Sequence, residues 1–465
     1  MSRVHLIGIG GTGISAIGFV LLEKGYQVSG SDLQLSPLAI RLANSGAQVN
    51  QGHRPENVSG ADLVIRSSAI PDENVEVQAA KAAGIPVLKR AEFLSKLTAN
   101  HQTIAIAGTH GKTTTTAMIA WLLTSLGYDP SYIIGSVALN MDKNAHAGRG
   151  QYFVIEADEY DYMFLGLTPQ IVVVTNLEHD HLDCFRTFKD YYQAFLDFIG
   201  RLDTDGMLLA CGDDLGSANL LIETAKDNRR TFSYGLGLLL EASSMDYSGQ
   251  NLRISERGGY SFDVFQGSSQ LVKVDLQVPG VHNVQNSLAA ISIAHLLGLS
   301  IAEASQSLGE FLGTSRRFEL LGEAANVVVI DDYAHHPSEI RATLTAARER
   351  YSDRRIWAVW QPHSYSRTIE LLNDFVIALS EADCVLVTEV YPAREPINKE
   401  FSALQAVKKM THKNANFVAE IPQACNFLIT NLCPGDVLVV LSAGDGNIIS
   451  STVFAELIRQ EQGDV

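Results

Sequence analysis

The chain is short of cysteine pairs, of long apolar runs and of positive charge, and each shortage removes a class of protein. The five cysteines, Cys184, Cys211, Cys384, Cys425 and Cys433, are odd in number and widely spaced, with no C-x-x-C pair. Neither a disulfide framework nor a zinc ribbon is indicated, and a reducing compartment fits. No stretch reaches the roughly 18 consecutive apolar residues that a membrane-crossing helix needs. The first residues enter a strand directly, without the charged region, apolar stretch and cleavage site of a leader, so a cytoplasmic protein without membrane insertion is expected. Lysine and arginine number 35 against 52 aspartates and glutamates, a formal charge of -17. That balance argues against nucleic acid or an anionic membrane as the main partner. Any anionic substrate must be held by local devices.

What is present is an α/β pattern. At 465 residues the chain exceeds one core and suggests roughly three domains. Apolar runs such as VHLIGIG, LVIRSSAI, TIAIAG, IVVVTN, VVVIDD and VLVVLSAG alternate with helical periodicity, and several hold four or more consecutive apolar residues. That is the pattern of parallel strands buried on both faces. Between about Arg230 and Val278 the pattern becomes alternating and Gly/Ser-punctuated, which predicts an antiparallel insertion. Polar stretches near 95–102 (SKLTANHQ) and 313–318 (GTSRRF) suggest the boundaries. The expected domains are 1–100, 101–313 and 314–465.

The segment AIAGTHGKTTTTAM, residues 105–118, reads as a phosphate-gripping loop between a strand and a helix starting near Thr113. Gly108 and Gly111 let backbone N–H groups curl around phosphate oxygens, with Thr109 and His110 between them. Lys112 reaches the outer phosphates, Thr113 holds Mg²⁺, and Thr114 extends the anion-binding helix start. One departure stands out: Ile106 occupies the place of the usual first glycine. A nucleoside triphosphate is the expected ligand.

Five further constellations carry chemistry. GIGGTGIS places Gly8, Gly10 and Gly13 in G-x-G-x-x-G after a strand, with Gly11 and Thr12 between them and Asp32 about twenty residues on. This is a pyrophosphate-binding turn, which taken alone suggests NAD. A dehydrogenase has no use for a second phosphate loop, whereas a sugar nucleotide at this turn satisfies both motifs. VIEADEYD ends a strand in Glu156, Asp158, Glu159 and Asp161, where a Mg²⁺ ligand belongs. IVVVTNLEHDHLD ends another in Glu178, His179, Asp180, His181 and Asp183. His179 and His181 are two apart and face the same way on an extended chain, so zinc competes with a second Mg²⁺ site here. In the last domain DDYAHHPSEI, QPHSYSRT and YPAREP each follow a strand. They place Asp332, His335, His336, His363, Arg367, Arg394 and Glu395 at strand ends, where ligands of open α/β sheets bind. VPGVHNVQNSLAA sets His282, Asn283 and Asn286 at a helix start, with the two asparagines on one face and suited to a base edge.

In order, GIGGTGIS, GTHGKTTTT, EADEYD, TNLEHDHLD, PGVHNVQN, RRFE, DDYAHHPSEI, QPHSYSRT and YPAREP span almost the whole chain. Together they resemble the Mur ligase family, ATP-dependent amide-bond formers of peptidoglycan precursor assembly. The resemblance implies a Rossmann-like UDP-sugar domain, a central P-loop ATPase-like domain and a C-terminal Rossmann-like domain for the amino acid. It implies ATP with Mg²⁺, or Mn²⁺ in its place, UDP-N-acetylmuramate as the carboxylate substrate and L-alanine as the amine, acting in a monomer or weak dimer. Residue by residue, it assigns Lys112, Glu156 and His181 to catalysis, and Thr113, Glu156 and His181 to metal. The 108–114 loop, His282, Asn283, Asn286, Arg317 and Asp332 fall to ATP. Gly8, Gly10, Gly11, Thr12, Gly13, Asp32 and Ser68 fall to the UDP-sugar, and Tyr333, His335, His363 and Arg367 to the amino acid. Ser364 and Arg394 depart from the alanine-adding pattern. Tyr160 is more reminiscent of the relative that joins a recycled tripeptide, so glycine, L-serine and that tripeptide stay open as alternative amines. The competing classes are an NAD(P)-dependent oxidoreductase and a nucleotide-gated binding protein without catalysis.

Overall fold

In the computed structural model the described residues are 2–181, 184–239 and 241–463. They form three sheets. The first has five parallel strands, ordered Gln48–Gln51, Gln27–Asp32, Arg3–Ile7, Leu63–Arg66 and Val87–Lys89. Its first strand lies in the middle, with the second and fourth on either side. That is the point where the winding reverses, and the open crevice above it is where such sheets take ligands.

The second sheet has ten strands, and its centre determines the chemistry. Gln102–Ala107, the strand feeding the phosphate loop, is flanked by Tyr152–Glu156 on one side and Ile171–Val174 on the other, all parallel. Both flanking strands therefore end beside the loop. The expected antiparallel insertion begins later than the sequence pattern suggests, because Arg230–Gly235 runs parallel to Met207–Cys211. It is an interior strand of the sheet, exposed at Arg230 and fully buried only at its end, at Tyr234 and Gly235. The meander proper is Tyr247–Ile254, Tyr260–Gln266 and Ser269–Asp275. Its connections, 255–259 and 267–268, are too short for parallel crossovers. The predicted polar link also shrinks: residues 95–98 are the last turn of the Arg90–Thr98 helix, held by buried Leu94 and Leu97.

The third sheet is ordered Glu319–Ala324, Val327–Asp332, Asp436–Leu441, Arg355–Trp360, Cys384–Val387 and Ala415–Phe417, parallel except for its first strand. Val328, Ile330, Trp360 and Val439 pack on one face; Val327, Val329, Val359 and Leu438 pack on the other. Burial on both faces explains the unbroken apolar runs.

Two compact units emerge. One comprises 1–252, 262–274 and 285–311; the other comprises 253–261, 275–284 and 312–465. In the first, one continuous apolar cluster extends from Leu6 and Ile17 through Ala105 and Phe153 to Phe195, beside a smaller one around Ile7, Val64 and Val77. No described cysteine forms a disulfide, and no helix among the described residues is long and apolar enough to cross a membrane.

Candidate active site

The phosphate loop is tight and clamped. Ile106, the departure from the usual pattern, is a fully buried strand residue, so the turn is confined to Gly108–Gly111. Gly111 has φ +81° and caps the Lys112–Ser125 helix; a Cβ there would come 2.7 Å from Asn286 Oδ1. At Gly108, φ is +129° and a Cβ would lie 2.1 Å from Thr175 Oγ1. Neither position tolerates a side chain. The neighbouring strand end grips the loop: Thr109 N donates to Asn176 O (3.0 Å), His110 N to Asn176 Oδ1 (2.9 Å), and Thr109 Oγ1 to Glu178 O (2.8 Å). His110 Nε2 lies 2.9 Å from Glu178 Oε2.

Lys112 is folded back. Its Nζ donates to Gly108 O, to Thr109 O (3.1 Å) and to Glu159 Oε1 (3.1 Å), with Glu159 Oε2 at 3.0 Å. Burial disfavours its charge, but Glu159, Asp158 and Glu156 outweigh that and hold the ammonium above its ordinary range. Glu159 is completely buried and also accepts from Tyr191 OH (3.1 Å). The sequence offered four carboxylates in EADEYD; the structure separates them. Glu159 faces the lysine, whereas Glu156 Oε2 accepts from Gly135 N (2.7 Å) and Asp158 Oδ1 from Tyr160 N (3.1 Å).

The two histidines of NLEHDH do not share a face, as an extended chain would require. His181 takes a left-handed φ of 54°, which turns the chain. His179 Nε2 meets Phe185 O (3.0 Å), while His181 Nε2 lies 3.7 Å from Glu159 Oε1 and its ring packs edge-on to Tyr160. The paired-histidine zinc reading loses its geometry. Asp183 lies outside the described residues.

In the first sheet, the glycine turn closes on Asp32, whose Oδ2 accepts from Gly10 N (2.9 Å). Gly11 caps the Thr12–Glu23 helix with no side-chain cap and no acidic residue in its first turn, leaving its N–H end open to an anion. Ser68 is exposed in the turn after Leu63–Arg66, on the same edge of the sheet.

The C-terminal strand ends converge. The Tyr333 ring lies under the guanidinium groups of Arg316 and Arg317, at 5.1 and 5.2 Å, and edge-on to His335. The His335 ring meets His363 at 5.8 Å, and Arg367 Nη1 lies 3.5 Å from His363 Nδ1. Glu339 ties this cluster together, 3.3 Å from Arg317 Nη1 and accepting from His335 N (3.0 Å). Asp332 is turned inward, accepting from Phe318 N (2.8 Å), Ala334 N (2.7 Å) and Thr343 Oγ1 (3.2 Å). Burial pushes its carboxyl up to about 6 against the pull of Arg317. Burial, aided by Arg317, lowers His282 to about 4, so it is neutral at pH 7. Asn283 Nδ2 donates to Pro279 O (2.7 Å), and Asn286 Oδ1 accepts from Thr115 Oγ1 (3.1 Å) beside the phosphate loop. His336 caps the Pro337–Arg350 helix, and Glu395 accepts from Tyr365 N (2.7 Å), Ser366 N (3.1 Å) and the Ser366 hydroxyl.

Sequence reasoning missed the loop after Asp436–Leu441. That strand, the last in the chain, inserts between Val327–Asp332 and Arg355–Trp360. Arg316 Nη2 donates to Ser442 O (2.6 Å), and Gln361 Nε2 to Asp445 Oδ1 (2.7 Å). The available signal was SAGDG directly after an apolar run.

Three family models cover nearly the whole chain: "Mur ligase family, catalytic domain" at residues 3–102, "Mur ligase middle domain" at 106–294 and "Mur ligase, glutamate ligase domain" at 316–444. The chain belongs to the Mur ligase family. Among Mur ligases it is 40% identical over 462 residues to UDP-N-acetylmuramate--L-alanine ligase of Geobacter sp. (strain M21), covering 98% of each chain. Its structure is similar to that of the UDP-N-acetylmuramate-alanine ligase MurC from Thermotoga maritima, at 28% identity and a TM-score of 0.84 with both chains fully covered. A murein peptide ligase from Psychrobacter arcticus 273-4 is less similar, at 26% identity and a TM-score of 0.72 over 98% of this chain and 99% of that one. The two middle segments that flank the phosphate loop, EADEYD and NLEHDH, lie inside this Mur ligase middle domain.

Proposed function

We propose that this Mur ligase joins L-alanine to the carboxylate of UDP-N-acetylmuramate at the expense of ATP, in the cytoplasm. One observation carries the reading: the lysine-bearing phosphate loop lies between two parallel strands that both end in carboxylates or histidine. The identity to alanine-adding relatives supports the choice of amine. The segments 1–100, 101–313 and 314–465 serve the UDP-sugar, ATP and the amino acid respectively.

In the reaction a carboxylate oxygen attacks the γ-phosphorus, the bond to the β-phosphate oxygen breaks, and ADP leaves an acyl phosphate. The amine nitrogen then adds to the acyl carbon, loses a proton, and phosphate departs as the amide forms. Lys112 exchanges its loop carbonyl and Glu159 partners for the β- and γ-phosphates. The loop N–H groups orient the same oxygens, which is positioning plus charge stabilisation rather than covalent work. Thr113, Glu156 and His181 offer a hydroxyl, a carboxylate and an imidazole. These suit Mg²⁺ or Mn²⁺, and Glu156 Oε1 accepts no hydrogen bond among the described residues. Bound there, the metal supplies neutralisation of the phosphoryl charge. The family assignments of His282, Asn283 and Asn286 to adenine, Asp332 to ribose and Arg317 to phosphate belong to the same proposal. So do those of Gly8, Gly10, Gly11, Thr12, Gly13, Asp32 and Ser68 to the UDP-sugar, and of Tyr333, His335, His363 and Arg367 to the amino acid.

The test is phosphate release with product mass, from Mg-ATP and UDP-N-acetylmuramate supplied separately with L-alanine, glycine, L-serine or the tripeptide. Release with L-alanine and a product heavier by one alanine residue is expected. Release with the tripeptide alone moves the protein to the recycling branch, and NAD(P)H binding without ATP turnover defeats the ligase reading.

A further inference from the structure

Among the described residues, Arg90 has no hydrogen-bonded or ion-paired partner. It opens the Arg90–Thr98 helix directly after the edge strand Val87–Lys89 of the first sheet. Its Nε is buried and makes no hydrogen bond, and the side chain forms no ion pair with any described residue. A Cβ on Gly13 would meet Nη1 at 2.1 Å, Cζ at 2.2 Å and Nε at 2.8 Å, so the guanidinium lies against the first turn of the Thr12–Glu23 helix. That turn is itself positive: it has no side-chain cap and no acidic residue.

A guanidinium placed against an uncapped helix N-terminus is doubly unfavourable unless an anion sits with them. The carboxylates whose fields reach Arg90 are Asp158 and Glu156, which counter the effect of burial on its charge. Neither is paired with it. The third glycine of the turn therefore has a local reason: any larger residue would displace Arg90.

We propose that Arg90 grips the diphosphate of the UDP-sugar, completing with the Thr12–Glu23 helix start and the Gly8–Gly13 turn a site that no glycine motif specifies alone. This rests on the ligase reading for the identity of the nucleotide. A planar guanidinium matches two phosphate oxygens at once, which a lysine ammonium cannot do.

The test compares uridine, UMP, UDP, UDP-N-acetylglucosamine and UDP-N-acetylmuramate binding to wild type, Arg90→Ala and Arg90→Lys by calorimetry, with ATP affinity and Tm as controls. The expected result is a loss of about 10–100-fold for UDP and both UDP-sugars in Arg90→Ala, a smaller loss in Arg90→Lys, and uridine and ATP affinities within about threefold of wild type. Equal weakening of uridine and UDP would mean that Arg90 only packs the domain, and overturns the proposal. A loss confined to UDP-N-acetylmuramate would place the grip on the sugar's carboxylate and overturns it too. Unchanged UDP affinity in both variants defeats Arg90 alone, whereas a wild type that binds no uridine nucleotide defeats the ligase reading with it.

Discussion

At the scale of single residues, the structure distinguishes groups that look alike in sequence. In the proposed ATP site, Lys112→Ala removes the loop cation assigned to the β- and γ-phosphates. Turnover is expected to fall by about 10²–10³-fold or more, with UDP binding within twofold of wild type, since the two proposed sites use different sheets. Phosphate release and UDP calorimetry on the same preparation check this. Glu76 is a different case, a fully buried carboxylate outside the reaction. Burial pushes its pKa up, but hydrogen bonds from His5, Ser31, Asn57 and the Arg54 N–H outweigh burial and lower it from 4.5 to about 2. A depressed carboxyl pKa contributes stability that is complete above about pH 4.5 and is lost as pH falls towards 2. Denaturant unfolding from pH 5.5 to 2.5 should show the wild type losing on the order of 3 kcal/mol more than Glu76→Gln over that window. Parallel curves would show that Glu76 does not drive the acid limb.

At the scale of elements, function depends on what holds each short segment in place. The six-residue helix Tyr365–Glu370 carries Arg367, has no side-chain cap of its own, and begins at Ser364 with φ 65°. Glu395, from the distant YPAREP loop, supplies the missing acceptor with three hydrogen bonds. Glu395→Ala should cost about 1 kcal/mol of stability, as loss of a cap does, and raise KM for L-alanine severalfold while KM for ATP stays put. Equal shifts in both constants would argue that the helix serves only the fold. The helix start and strand ends here were legible from apolar periodicity. The cap was not, because residues 365 and 395 are brought together only by the neighbouring strands Arg355–Trp360 and Cys384–Val387.

At the scale of the whole molecule, the chain crosses between its two compact units at 252/253, 261/262, 274/275, 284/285 and 311/312. The second unit is thus not a simple C-terminal appendage. A chain ending at residue 311 leaves the buried Leu276, Val278 and Val284 without the 312–465 portion of their unit. Such a chain should be cut by proteases within 253–284 while full-length protein resists, and it should melt at a lower temperature; equal resistance would show that the meander end is stable alone. The sequence by itself determined the α/β class, the phosphate loop, the glycine turn and most charged strand ends. Those features are local, set by apolar runs buried on both faces and by backbone geometry that only glycine adopts. The tertiary structure alone decided which strand ends are neighbours. It placed EADEYD and NLEHDH on either side of Lys112, turned Glu159 rather than Glu156 onto that lysine, and split the two histidines. It also inserted the last strand between Val327–Asp332 and Arg355–Trp360, and laid Arg90 on Gly13. Strand order and side-chain pairing arise from packing between segments far apart in the chain, and no period in a single sequence records them.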